Sequence, residues 1–136
     1  MPFAIKAQIL DPEAAEFEFV AAKTMYGGRQ IEVGDTAYLF ASENEGGCGL
    51  VAAGPVTCAA PVEKVPGLAR QTPRVSVKVR ARSRAKLRLG RLQLKRFTNW
   101  TDGRPETELN FKLYRQATDK IVGISEDAAS FLLRFF

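Results

Sequence analysis

Apolar and polar positions alternate most regularly between Arg74 and Leu89, where Val75, Val77, Val79, Ala81, Ala85, Leu87 and Leu89 interleave with Arg74, Lys78, Arg80, Arg82, Arg84, Lys86 and Arg88. Period two predicts extended chain with one apolar and one basic face. At about 3.3 Å per residue an unbroken strand of this length would reach about 50 Å. That is too long for a domain whose radius of gyration should be about 14 Å, so the strand has to bend, most naturally at Arg82-Ser83-Arg84. Upstream, Phe3 and Ile5 alternate with Lys6 and Gln8 in a first strand that ends at Asp11-Pro12. Residues 13–25 carry both signals: Ala and Glu favour a helix, whereas Phe17 and Phe19 between Glu16 and Glu18 favour a strand. The expectation there is a short helix or turn leading into extended chain.

Gly27-Gly28 interrupts the chain, and Gly34-Asp35 delivers it into a strand from Thr36 to Ala41, with Tyr38 and Phe40 on one face and Leu39 on the other. After a hairpin-type loop at Glu43–Gly47, Cys48 to Cys58 reads as a small-residue strand containing Gly49, Gly54 and Pro55. Glycines inside a strand mark bulges and close backbone approach, which suits a small closed barrel better than a flat sheet. Residues 62–72 form a loop. Past Gly90 the period changes. Leu92, Leu94 and Phe97 make a short apolar segment, and Thr98-Asn99-Trp100-Thr101-Asp102-Gly103 is a turn-rich loop. Pro105 opens a helix with Glu106 and Glu108 near its start, and Ser125 caps a second one with Ala128, Phe131, Leu132 and Phe135 on its apolar side. The pattern predicts a single α+β domain over residues 1–136.

Composition narrows the chemistry. The 136 residues contain no His, which removes imidazole catalysis, His-ligated metal and Ser-His or Cys-His nucleophiles. Cys48 and Cys58 form no CxxC motif or carboxylate cluster and are expected to be reduced and buried. No metal or cofactor is called for, and a binding role is preferred over a catalytic one. The longest apolar stretch is broken by Gly54, Pro55, Thr57 and Pro61, so a cytoplasmic chain without a membrane segment is expected. Asn99-Trp100-Thr101 matches a glycosylation sequon that such a chain would not use.

Charge changes the picture when mapped. The net +5 hides a segment, residues 64–101, that carries twelve Lys and Arg and no acid, between flanks of −6 and −1. A basic strand repels itself, and phosphate backbones are the commonest means of relieving that field. Arg80, Arg82, Arg84 and Arg88 are therefore candidate phosphate contacts; the bland alternative pairs them with the acidic N-terminal half. Tyr26, Tyr38, Phe40, Phe97, Trp100, Phe111 and Tyr114 supply either a core or a platform for base stacking. Trp100 stands out because its neighbours in the loop are polar.

Gly34-Asp35 entering Thr36–Ala41, then Gly49-Leu50-Val51-Ala52-Ala53-Gly54-Pro55-Val56, then Val75-Ser76-Val77-Lys78-Val79, resembles the EVE/PUA-like superfamily over roughly residues 3–100. Asn99 to Phe111 is also similar to the tails of bacterial EVE-like proteins. The resemblance implies a small PUA-like (EVE-type) β-barrel with flanking helices, two of them near the C-terminus. It further implies binding of DNA or RNA, with a modified base drawn into an aromatic-lined pocket, and in some members association with a nuclease. Carried onto this chain, Trp100 would be one wall of the pocket and Tyr38 or Phe40 another, with Asn99 hydrogen-bonding the base edge. The dense basic strand departs from the family pattern. The alternative function is a protein-interaction module whose basic strand binds an acidic partner or forms a homodimer.

Overall fold

Phe17 and Phe19 point the same way from an extended backbone and are 6% and 7% exposed, while Glu16 and Glu18 stand in solvent. The computed structural model, which describes all 136 residues, thus resolves the ambiguous segment in favour of the strand. A turn at residues 12–13 leads into ten extended residues, and the helical option is not realised, because two Phe side chains buried on one face outweigh the propensity of Ala and Glu.

The strands are β1 (Phe3–Ala7), β2 (Glu16–Met25), β3 (Thr36–Ala41), β4 (Gly49–Pro61), β5 (Arg74–Arg80), β6 (Ser83–Arg84) and β7 (Lys120–Gly123). Six of them run in the order β3-β1-β7-β2-β5-β4, and the additional pairing of β3 with β4 closes the ring. β1–β3 and β2–β7 are parallel and the other pairings antiparallel, so this is a closed mixed barrel, with β6 appended to β4. The alternating segment bends as its length requires, but at residues 81–82: β5 stops at Arg80, and Ser83-Arg84, where the bend was expected, already form β6. Gly54 is where the bend is accommodated, since a Cβ there would strike the carbonyl of Arg80. Register shifts in β4 opposite Leu39/Phe40 and opposite Val79/Lys78 supply the curvature.

Alternate residues of each strand feed two apolar layers. Inside the barrel lie Ile5, Phe17, Leu39, Val56, Val77 and Ile121 among others. The outer layer, with Ala4, Phe40, Leu50 and Val122, is covered by α1 (Arg91–Leu94), α2 (Pro105–Leu109), the π-turn Asn110–Tyr114 that continues it, and α3 (Glu126–Leu133). β5 contributes to the inner layer only, so the helices cover one side of the barrel and leave β5 outside. Ser125 caps α3 by accepting from the Ala128 N–H at 3.0 Å, and Glu108 of α2 accepts from the Ser125 N–H at 2.8 Å, which joins the two helices.

Two expectations are corrected. Cys48 and Cys58 are exposed, because the first follows the Gly46-Gly47 turn and the second falls on the outward, helix-free face of β4. β7 was absent from the sequence reading: four residues between a turn and a helix give too short a pattern, yet it sits between β1 and β2 and is wholly buried. Leu39→Ala should cost about 3 kcal/mol through the cavity it leaves in the barrel and Ser125→Ala about 1 kcal/mol through loss of the cap. Urea denaturation measures both.

Candidate functional site

The loop after α1 is held by two anchors. The Asn110 Nδ2 donates to the Phe97 carbonyl at 3.0 Å, and Asp102 accepts from the Arg104 N–H and the Thr107 hydroxyl, each at 3.0 Å. These bonds, the Arg104 N–H first, hold the Asp102 carboxyl below its ordinary range, so it is an anchor of the loop rather than a free acid. Between the anchors Trp100 stands 43% exposed, with its ring edge-on to Phe111 at 5.4 Å between centroids. The Tyr26 ring lies tilted against Phe111 at 5.7 Å between centroids, and the Arg115 guanidinium sits 4.7 Å over the Phe111 ring. Beside this stack opens a cleft of about 240 Å³ lined by Trp100, Gly103, Arg104, Thr107, Glu108 and Phe111, with Lys112 at its edge. Lys112 pairs with Glu108 at 3.0 Å and donates to the Gly123 carbonyl at 2.8 Å. Burial pushes the Glu108 carboxyl up, but the Ser125 hydroxyl and N–H and the Lys112 ammonium outweigh it and leave the group below its usual range. The cleft therefore combines an exposed aromatic face with two cations and one ionised, fully engaged carboxylate.

The other sequence candidates are distributed elsewhere. Asn99 is exposed next to Trp100, with its Oδ1 accepting from the Thr101 hydroxyl at 3.2 Å. Tyr38 and Phe40 are not walls of this cleft: they are 4% and 0% exposed in the layer beneath the helices, because their face of β3 is the one the helices cover. Phe111 lines the cleft with Trp100, and Tyr26 packs against Phe111 outside its lining. Phe111 sits in the π-turn that continues α2, where an aromatic at helical spacing reads as core. Arg80, Arg82 and Arg88 are exposed and form no ion pair, and none of them lines the Trp100 cleft. Of the neutralisation expected from the acidic half, β5 shows only Lys78–Glu18 at 3.7 Å.

Arg84 differs from the other three arginines. Its guanidinium donates to the carbonyls of Pro12, Glu13 and Ala14 at 2.7, 2.9 and 2.6 Å, clamping the turn before β2 to the barrel.

The sequence reading also passed over Lys6 and Lys120. Both are 1% exposed, and they face each other across β1 and β7. The Lys6 Nζ lies 5.2 Å over the Tyr114 ring, whose hydroxyl donates to Glu43 at 3.1 Å, and the Lys120 Nζ donates to the Gln116 carbonyl at 3.2 Å. Burial, and after it the charges of Lys6 and Lys23, bring the Lys120 ammonium down to about 8. The Lys6 ammonium is lowered as well, by burial first; Asp119, Glu43 and Glu45 oppose the shift and Arg91 adds to it. The signal for both lysines was a cation on an otherwise apolar strand.

Comparison with known proteins places this geometry. No protein-family profile and no curated protein sequence matches the chain. Among solved structures, the DUF55 domain of human thymocyte nuclear protein 1 superposes with a TM-score of 0.66 at 15% identity, covering 98% of this chain and 97% of that one. The fold is the EVE-type, PUA-like barrel. The same human protein in complex with 5-methylcytosine-containing DNA matches with a TM-score of 0.66 at 14% identity, over 98% of this chain and 95% of the other. A Pseudomonas putida protein matches at 0.64 and 13% identity, over 99% of both chains. In this EVE-type barrel the helix-covered side carries the Trp100 cleft, and no helix is long and apolar enough to cross a membrane.

Two measurements check these assignments. Arg84→Met should destabilise the fold by about 2 kcal/mol through loss of its charge-assisted bonds, seen in urea denaturation. The unfolded chain keeps the Lys120 proton up to the ordinary lysine value of 10.5, so between about pH 8 and that value it binds more protons than the folded chain. Stability should therefore rise with pH across this window, and Lys120→Met should flatten the rise in urea titrations at stepped pH.

Proposed function

We propose that this EVE-type barrel is a non-catalytic nucleic-acid-binding domain that takes a modified base of DNA against Trp100. The observation that carries the reading is the exposed Trp100 face, braced edge-on by Phe111, opening on a cleft that also presents Arg104 and Lys112. An aromatic face beside cations suits an extruded base with its phosphate nearby, since stacking is worth about 1–3 kcal/mol per base. The likeness in fold to human thymocyte nuclear protein 1, solved with 5-methylcytosine-containing DNA, supports the same reading.

In this proposal Trp100 stacks and Asn99 offers its carboxamide to the base edge. Arg80, Arg82 and Arg88 lie outside the cleft and contribute to the general field that draws a polyanion in. Arg84 has no such part, as its guanidinium is already engaged.

Fluorescence anisotropy with a 5-methylcytosine duplex, the unmodified duplex and an RNA strand of the same sequence, at several salt concentrations, tests the proposal. Binding to the methylated duplex should be tightest, and Trp100→Ala should weaken it about tenfold. Absence of affinity for every one of these strands at low salt would overturn it, and preference for the RNA would reassign the polymer.

A further inference from the structure

A second basic feature lies at the end of the barrel, built by strand register and not by sequence proximity. Lys6 of β1 pairs with Lys120 of β7. The parallel register of β7 with β2, Thr24 against Ile121, carried back one residue, sets Lys120 beside Lys23. Lys23 in turn pairs with Arg74 of β5. Four cations from four strands thus stand in one row across the barrel, about 15 Å long at ordinary strand spacing. All four leave the outer face, because Ile5, Ile121, Ala22 and Val75, their neighbours in sequence, belong to the inner layer. None of the four forms an ion pair. Like charges directly opposite each other across strands destabilise a sheet, and half of this row is buried as well.

The row opens on a cleft of about 390 Å³ whose wall is the loop between β4 and β5. There Lys23 and Arg74 are joined by Lys64 and Arg70, with Glu63 the one acid. Gln71 ties the loop across itself: it accepts from the Val65 N–H and donates to the Val65 carbonyl, both at 2.8 Å, and donates to the Leu68 carbonyl at 3.2 Å. Arg74 is oriented by its bond to the Ala21 carbonyl at 2.8 Å. On the other flank of Lys23 and Arg74, Glu45 and Asp119 line an adjoining cleft. A hydrogen bond to Asp119 first, and burial after it, hold the Glu45 carboxyl above its ordinary range.

We propose that Lys23, Arg74, Lys64 and Arg70 form a phosphate-binding site, with Lys120 and Lys6 behind it supplying a fixed positive field. It is distinct from the Trp100 cleft and shares no residue with it. A bound phosphate relieves the repulsion that the row builds into the apo fold. The phosphate is either a free anion or the backbone of a nucleic-acid strand, and only the second source rests on the function proposed above.

The test uses Lys23→Gln/Arg74→Gln and, as a control with the same loss of charge, Lys78→Gln/Arg134→Gln. Inorganic phosphate, compared with chloride at equal ionic strength, should raise the Tm of the parent and of the control but not of the site variant. The salt slope for duplex DNA should fall by about two units in the site variant and by less in the control, each phosphate contact contributing about 0.9. Loss of the phosphate effect with an unchanged slope identifies a free anion. Loss of both identifies the strand. If the parent binds no DNA, the functional proposal fails while the phosphate comparison still decides this one. Lys120→Met keeps the test independent of folding defects: it should raise the Tm without phosphate and reduce the phosphate shift. A phosphate effect absent from the parent, or equal in site variant and control, would overturn the proposal.

Discussion

Closure of the barrel through the pairing of β3 with β4 is the constraint on which the rest of the molecule depends. A closed sheet has no edge left to pair, and each strand must send alternate residues into an interior that side chains alone can fill. That requirement explains the small residues of β4, the bend between β5 and β6 and the approach of Gly54 to the Arg80 carbonyl. It also divides the outer surface in two. One side, carrying Ala4, Phe40, Leu50 and Val122, is apolar and has to be covered, and the three helices cover it. The other, where β5 presents Arg74, Lys78 and Arg80, is polar and stays open.

The two halves of the surface carry different chemistry for the same reason. Helices packed over an apolar sheet have loops at their ends, and one of these, tied down by Asp102 and Asn110, holds Trp100 out against Phe111. The open half keeps its charges in solvent, apart from the Arg84 guanidinium, which the bend between β5 and β6 turns back onto three carbonyls. The exposed aromatics around Trp100 and the alternating basic strand are therefore separate features of the molecule, and the cations beside Trp100 are Arg104 and Lys112.

Much of the architecture was readable from local pattern. The Val75-Val77-Val79 alternation, the glycines of β4, the need for a bend in the basic segment (expected at Arg82-Ser83-Arg84, found at residues 81–82) and the Ser125 cap each rest on neighbours a few residues apart. The segment at residues 13–25 was not readable, because its preference for a strand comes from Phe17 and Phe19 finding the barrel interior. β7 escaped for the related reason that four residues enclosed on both faces show no alternation. Trp100 could be singled out as an aromatic among polar neighbours, whereas Phe111 reads as helix core until the fold sets it beside Trp100. Tyr38 and Phe40 look equally suited to a pocket or a core, and only the position of the helices assigns them to the core.

By itself the sequence determined the α+β class, with a curved small-residue strand, a segregated basic segment and no imidazole side chain. These follow from composition and from periodicities of two and 3.6 residues, which are local properties. The tertiary structure alone decided which charges are neighbours. Lys6, Lys23, Arg74 and Lys120 are spread over 115 residues of chain, and the row they form exists only because closure fixes the register of four strands at once. Charges interact through space, and their distances are set by that register and not by their order in the chain.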